Sequence, residues 1–151
     1  MSSLTRVVLS QLTPPASRGN VLARERLDET LRQVLDYPLT IICAGTGYGK
    51  TTSILGFIQK LDIPVFWYSI SPIERDPKLF LANLFTAFNR GDHKFGQIPL
   101  RLLSDADNEA QDMLIALVNS LSDGLQSPAL LVLDDFQSVK TQSHYQLIPI
   151  N

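Results

Sequence analysis

Eight residues constrain this chain more than any others. Ala44 to Thr51, AGTGYGKT, follow the apolar run Leu39-Thr40-Ile41-Ile42 and precede Thr52-Ser53-Ile54-Leu55, so an extended segment must turn sharply and continue as a helix. Side chains at Gly47 and Gly49 would obstruct an oxyanion approaching the backbone, and glycine removes them. The helix that begins there points its free N–H groups and partial positive charge at the same place. Anion binding is therefore built into the backbone, and Lys50 adds a full charge.

The stretch meets the pattern G-x-x-x-x-G-K-[ST], with Ala44 in place of the first glycine. As a phosphate loop it would wrap the backbone of Gly45, Thr46, Gly47, Tyr48 and Gly49 around phosphates. Lys50 would extend to the β- and γ-phosphates, the Thr51 hydroxyl would ligate Mg²⁺, and Thr52 would reach the α-phosphate. The bland alternative is a glycine-rich turn with Lys50 solvated.

A second stretch weighs against that alternative. ALLVLDD, Ala129 to Asp135, reads as a buried strand ending in two carboxylates, the pattern of a Walker B motif. Asp134 would hold Mg²⁺ through its water ligands, and Asp135 would orient or deprotonate the attacking water, which with Lys50 makes the candidate catalytic pair. Alone, the two acids would be a strand leaving the sheet into a solvated turn. Ligands of open α/β sheets bind at the carboxyl ends of strands, where both motifs lie.

The remaining pattern is α/β. Leu27, Leu31, Val34 and Leu35 predict a helix from Arg24 that Pro38 ends. Leu39 to Cys43 predicts a strand buried on both faces, Thr51 to Lys60 a helix, and Ile63 to Ile70 a second buried strand. Asp76-Pro77 starts a helix with Phe80, Leu81, Leu84, Phe85 and Phe88 on one face. After a loop through Gly91, Gly96 and Pro99, Asp107 or Asn108 caps a helix carrying Ala110, Met113, Leu114, Leu117, Val118 and Leu121. Residues 10 to 20, SQLTPPASRGN, predict an extended, poorly ordered arm. Alternating strands and helices imply a parallel sheet.

Composition excludes several classes. A chain of 151 residues with 44% hydrophobic content suits one domain with a single core. No stretch approaches the roughly 20 apolar residues that cross a bilayer, and no secretory leader is recognisable, so a cytoplasmic protein without membrane contact is expected. A net charge of -2 without a basic cluster gives no footprint for nucleic acid. The single cysteine, Cys43, reads as a small core residue. Trp67, Phe66 and Tyr68 read as core packing, and His93 and His144 as surface residues without metal-ligand spacing.

Four stretches together resemble the STAND class of P-loop ATPases, in particular the nucleotide-binding domain of MalT-like, LuxR-type transcriptional regulators. They are LTPPASRGNVLARERL (Leu12 to Leu27), AGTGYGKTT (Ala44 to Thr52), WYSISPIERDPKLFLANLFTAF (Trp67 to Phe88) and LLVLDDF (Leu130 to Phe136). The resemblance implies a three-layer α/β/α P-loop NTPase fold, with residues 1–20 a lead-in and 21–151 a partial nucleotide-binding domain. It implies ATP and Mg²⁺ as ligands and an assembly switch controlling transcription. Val21, Leu22 and Arg24 become candidates for enclosing the adenine by resemblance only. DNA contact would come only through a C-terminal domain that this chain does not contain.

Two departures follow from the same resemblance. Gln137 stands where the family commonly has histidine after the aromatic of its DD-aromatic stretch. The resemblance places the family's sensor strand, helical lid and later domains beyond residue 151, and its sensor strand lies between the phosphate-loop and Walker B strands. An incomplete sheet is expected, with unpaired edges unless the strands close up or a partner fills the gap. That partner would be a second copy or an intact homologue, and any hydrolysis would be slow.

Four rivals stand beside this reading. A small-molecule kinase would need a substrate pocket and an arginine-bearing lid after the third strand. A GTPase would need N-K-x-D, and an ABC ATPase L-S-G-G-Q, neither of which occurs. The non-enzymatic rival is a degenerate or truncated product that folds poorly or acts only by association.

Overall fold

The computed structural model describes residues 8–16, 25–43, 47–72, 76–90 and 109–136. In chain order the elements are α1 (Glu25–Arg32), α2 (Lys50–Ile58), β1 (Val65–Ser69), α3 (Pro77–Arg90), α4 (Ala110–Gly124) and β2 (Leu130–Asp134). Short 3-10 turns occupy Leu9–Leu12 and Gln33–Asp36.

β1 and β2 pair in parallel, with Val65 opposite Leu130, Trp67 opposite Val132 and Ser69 opposite Asp134. The ladder is extended at both ends, where Leu130 N–H donates to Pro64 O and Ile70 N–H donates to Asp134 O, each at 2.9 Å. Such a parallel pair needs a long crossover, which α3 and α4 supply.

Side chains alternate across a strand, and the two core clusters follow that alternation. Phe66, Tyr68 and Ile70 face α3 and α4, where they meet Leu81, Leu84, Phe85, Phe88, Met113 and Leu117. Trp67 and Val132 face the other way, onto Leu55 of α2, with Ile54, Ile58, Val65 and Leu130 around them. The result is the expected α/β/α layering with a parallel sheet between. Burying each aromatic ring removes about 150–250 Å² from water, roughly 4–6 kcal/mol of gross stabilisation before entropy. Phe66 and Phe88 stack at a tilt with centroids 4.7 Å apart.

Local chemistry sets the helix starts. The Asp76 carboxylate accepts from Lys78 N–H at 2.9 Å, and its carbonyl accepts from Phe80 N–H, so Asp76 caps α3 ahead of Pro77. Periodicity hid one core residue of α3, Asn83, which is buried and donates its amide to Tyr68 Oη at 3.1 Å. α4 begins after Glu109, which makes no side-chain cap, and Asp107 and Asn108 lie outside the described residues.

Four expectations need correcting. Leu39 to Cys43 is not a strand: it is irregular, with Leu39 76% and Ile41 68% exposed. Extended backbone is stable only beside a hydrogen-bonding neighbour, and among the described residues β1 and β2 pair only with each other. Cys43 is accordingly exposed rather than a core residue. The helix predicted to reach Leu35 tightens into a 3-10 turn after Arg32, which turns Leu35 outward. The arm from residue 10 is not wholly extended either, because Leu9–Leu12 winds into a turn against β1 and α3 and buries Leu12 in the core.

Two smaller features complete the frame. On α4 the buried line is Met113 and Leu117, whereas Leu114 and Val118 are half-exposed, because α3 and the sheet cover only one side of the helix. Lys60, just beyond α2, pairs with Asp28 of α1. Among the described residues no helix is long and apolar enough to cross a membrane.

Candidate functional site

The site forms where α2 begins and β2 ends. Gly47 and Gly49 both have positive φ, +82° and +76°, and Gly49 occupies the N-cap position of α2 in the left-handed region. A Cβ at either position would meet no atom within 4 Å, so the requirement for glycine here comes from backbone conformation, and the space beside the loop is open. The Gly49 carbonyl accepts from Ser53 N–H at 2.9 Å, which closes the first turn.

That turn directs Thr51 to the carboxyl end of the sheet. Lys50 is half-buried, and the Thr51 hydroxyl donates to Asp134, with Oδ1 at 3.2 Å and Oδ2 at 3.1 Å. Residues 83 positions apart in the chain thus meet in a partly buried contact. Asp134 stays half-buried and also accepts from Asp135 N–H at 3.1 Å through Oδ1. Asp135 is exposed, with φ +58°, a left-handed conformation that aspartate tolerates because its short side chain bonds locally.

The remaining candidates divide in two. Tyr48 and Thr52 are exposed beside the same loop. Gly45, Thr46, Val21, Leu22 and Arg24 lie outside the described residues, as do Ala44, Gln137, His93 and His144. An apolar cleft of about 390 Å³, lined by Pro14, Pro15, Leu55, Ile58 and Val65, reaches the last residue of α2 and so lies apart from the loop at its first. Sequence reasoning named no site residue on β1. The register sets Ser69 directly opposite Asp134, a proximity that no spacing along the chain reveals.

The donor set bears on what cation would suit the site. A hydroxyl and a carboxylate are hard oxygen ligands, and Mg²⁺ is held by one or two such groups together with water and substrate phosphates rather than by a cage of side chains. Among the described residues no cluster of three or more His, Cys, Asp or Glu forms such a cage. The pair Thr51 and Asp134 fits Mg²⁺ and does not fit structural zinc.

A loop of left-handed glycines opening a helix, aimed at a carboxylate on the sheet's carboxyl end, defines the phosphate-binding class of α/β ATPase domains. A family model for the AAA domain matches residues 34–149, and the chain belongs to that family. Within it the chain is a MalT-like P-loop ATPase nucleotide-binding segment. It is 26% identical over 138 residues to the HTH-type transcriptional regulator MalT of Vibrio cholerae serotype O1, covering 91% of this chain and 15% of that protein. To the MalT of Serratia proteamaculans it is 30% identical over 138 residues, 88% of this chain and 15% of the relative. To that of Vibrio parahaemolyticus it is 35% identical over 82 residues, 54% and 9% of the two chains. The chain spans about 15% of the length of the first of these relatives. No solved structure matches it.

Proposed function

We propose that this segment binds ATP with Mg²⁺ and that the bound nucleotide sets the conformation of a transcriptional regulator. The observation that carries the reading is the Thr51–Asp134 contact, in which the end of one motif meets the end of the other. Family membership makes the segment a nucleotide-binding domain, and the residue roles below are the proposal.

In this reading the backbone N–H groups of Gly45, Thr46, Gly47, Tyr48 and Gly49 surround the phosphates, and Lys50 offsets charge on the β- and γ-phosphate oxygens. Thr51 and Asp134 hold the cation, Thr51 by its hydroxyl and Asp134 through water. Held by these two residues, Mg²⁺ would supply positive charge to offset that of the phosphates. Thr52 reaches the α-phosphate, while Val21, Leu22 and Arg24 enclose the base. Asp135, exposed beyond the strand end, orients or deprotonates an attacking water. Among the described residues few groups would stabilise the charge of the transition state, so turnover is slow in this reading. The relatives are named as HTH-type transcriptional regulators, which motivates the link to DNA through a domain other than this one.

Titration of ATP in the presence of Mg²⁺ by calorimetry tests the reading, with Lys50→Ala and Asp134→Ala as comparisons on folded, monodisperse protein. Saturable binding that Lys50→Ala abolishes and Asp134→Ala weakens only when Mg²⁺ is present is the expected result. Folded wild-type chain that binds no nucleotide overturns it.

One observation favours a second reading. The run Leu39–Cys43 leading into the loop is exposed, so the loop lacks the strand that would hold it rigid. A chain of this kind would act by association with a second copy or an intact homologue that lends the missing neighbour, and nucleotide affinity would then rise with protein concentration.

A further inference from the structure

Ser69 ends β1 on the face that carries the site. Residues 65 and 67 of β1 and 130 and 132 of β2 point toward α2, so by alternation Ser69 and Asp134 point the same way, and the two are direct partners in the parallel register. Thr51, at the first turn of α2, already reaches Asp134 on that face. Ser69 is therefore the third hydroxyl or carboxylate residue around one spot, contributed by a third element.

Its hydroxyl is also oriented. The Trp67 indole N–H donates to Ser69 Oγ at 2.8 Å, while the indole body is buried against Leu55 and Val132. An indole N–H is a donor only, so Ser69 must act as acceptor in this bond, and its own proton is left to donate elsewhere. Among the described residues Ser69 makes no other hydrogen bond, and it is half-buried rather than surrounded by bulk solvent. Adjacent strands lie about 4.7–4.9 Å apart, whereas a bridging water spans two bonds of about 2.7–2.8 Å. Side chains that leave facing positions of the two strands start about that far apart, a spacing that one bridging water can span.

We infer that Ser69 is a positioning residue of the nucleotide site, whose hydroxyl, held by Trp67, donates to a water molecule that also contacts Asp134. That water belongs to the shell through which Asp134 holds the cation, so the inference rests on the proposed function above. The packing of Trp67 against α2 fixes the serine, and the serine fixes the water. No bond is made or broken in this role.

The test compares ATP affinity of the full chain with Mg²⁺ and with EDTA, for wild type, Ser69→Ala and Ser69→Thr. One lost water-mediated hydrogen bond corresponds to roughly 3–10-fold. Ser69→Ala should weaken binding by that factor in Mg²⁺ and leave it unchanged in EDTA, and Ser69→Thr should restore most of the loss. Trp67 is the only tryptophan of the chain, so its emission gives a second readout. Addition of Mg²⁺ to the ATP-bound wild type should shift that emission, and the shift should be absent in Ser69→Ala.

A purely structural serine would lower the melting temperature and change Trp67 emission without altering the ratio of the two affinities, and that outcome overturns the inference alone. Wild-type chain that binds no ATP under either condition removes the functional reading and the inference together. If Ser69→Ala proves unfolded, Ser69→Thr and Ser69→Cys carry the same comparison, because only the threonine retains a strong O–H donor. Equal Mg²⁺ dependence in those two overturns the inference as well.

Discussion

Val65–Ser69 and Leu39–Cys43 are five-residue apolar runs with opposite fates. The first is a strand with Phe66, Trp67 and Tyr68 buried, and the second is irregular with Leu39, Ile41, Ile42 and Cys43 exposed. Composition does not separate them. What separates them is a neighbour: β1 has β2 in register along its whole length, and among the described residues 39–43 has none. A strand is a property of a pair, because each unpaired N–H and C=O forfeits a bond that water supplies more cheaply than a protein interior.

The largest expected effect lies on the packed side of that contrast. Phe85, fully buried on α3 among the residues that cover Phe66 and Tyr68, should cost about 3–5 kcal/mol when changed to alanine. Urea denaturation followed by far-UV circular dichroism measures it. A loss under 1 kcal/mol would mean that the β1–β2 half is as loosely held as the run before the loop.

The sequence made the packed half legible because its signals were local and redundant. Asp76-Pro77 announced α3, the steps Phe80, Leu81, Leu84, Phe85 and Phe88 announced its buried face, and the apolar runs at 63–70 and 129–135 announced the two strands. The run 39–43 carried an equally strong signal, and it misled, because pairing depends on an edge that no local pattern encodes. The turn of Leu9–Leu12 was hidden for the converse reason: prolines at 14 and 15 and small polar residues suggest an arm, while one leucine, Leu12, ties it to the core. At the site, loop glycines and strand-end acids were legible as types. The meeting of Thr51 with Asp134 and of Ser69 with Asp134 required the register.

The second prediction probes the bond joining the two sides. Thr51→Val removes the hydroxyl that links α2 to β2 while keeping the side-chain volume. Hydrogen bonds to charged groups contribute about 1.5–3 kcal/mol, and because Asp134 is only half-buried and keeps the Asp135 N–H, the lower end is expected. Guanidinium denaturation without nucleotide is the measurement. No change would mean that the apolar contacts of Leu55 with Trp67 and Val132 alone hold α2, and that the site contact contributes nothing to the fold.

Two glycines of this region should respond with opposite sign. Gly49→Ala forces a Cβ into the left-handed conformation and should cost about 1 kcal/mol, with no clash to add to it. Gly56→Ala, within α2 and with open space around it, should stabilise by about 0.5–1 kcal/mol through the entropy of the unfolded chain. Paired thermal melts read both. If Gly49→Ala were also stabilising, the loop would not hold its left-handed turn in solution, and the open side of the contrast would extend through the start of α2.

The smallest expected effect completes the contrast. Ile41→Ser, at a position 68% exposed, should change stability by no more than about 0.5 kcal/mol, against several for an isoleucine buried on both faces of a sheet. A cost above 2 kcal/mol would mean that the run has found a neighbour and is a strand after all. The same variant gains force when repeated with ATP and Mg²⁺. A ligand stabilises only the states that bind it, by an amount that grows with concentration over Kd. If nucleotide binding requires residues 39–43 to join the sheet, Ile41→Ser must weaken ATP affinity by the difference between burying isoleucine and burying serine, although it leaves the free chain untouched. If affinity is equally unaffected, the loop binds phosphate without its strand, and the glycine turn with the first turn of α2 is sufficient.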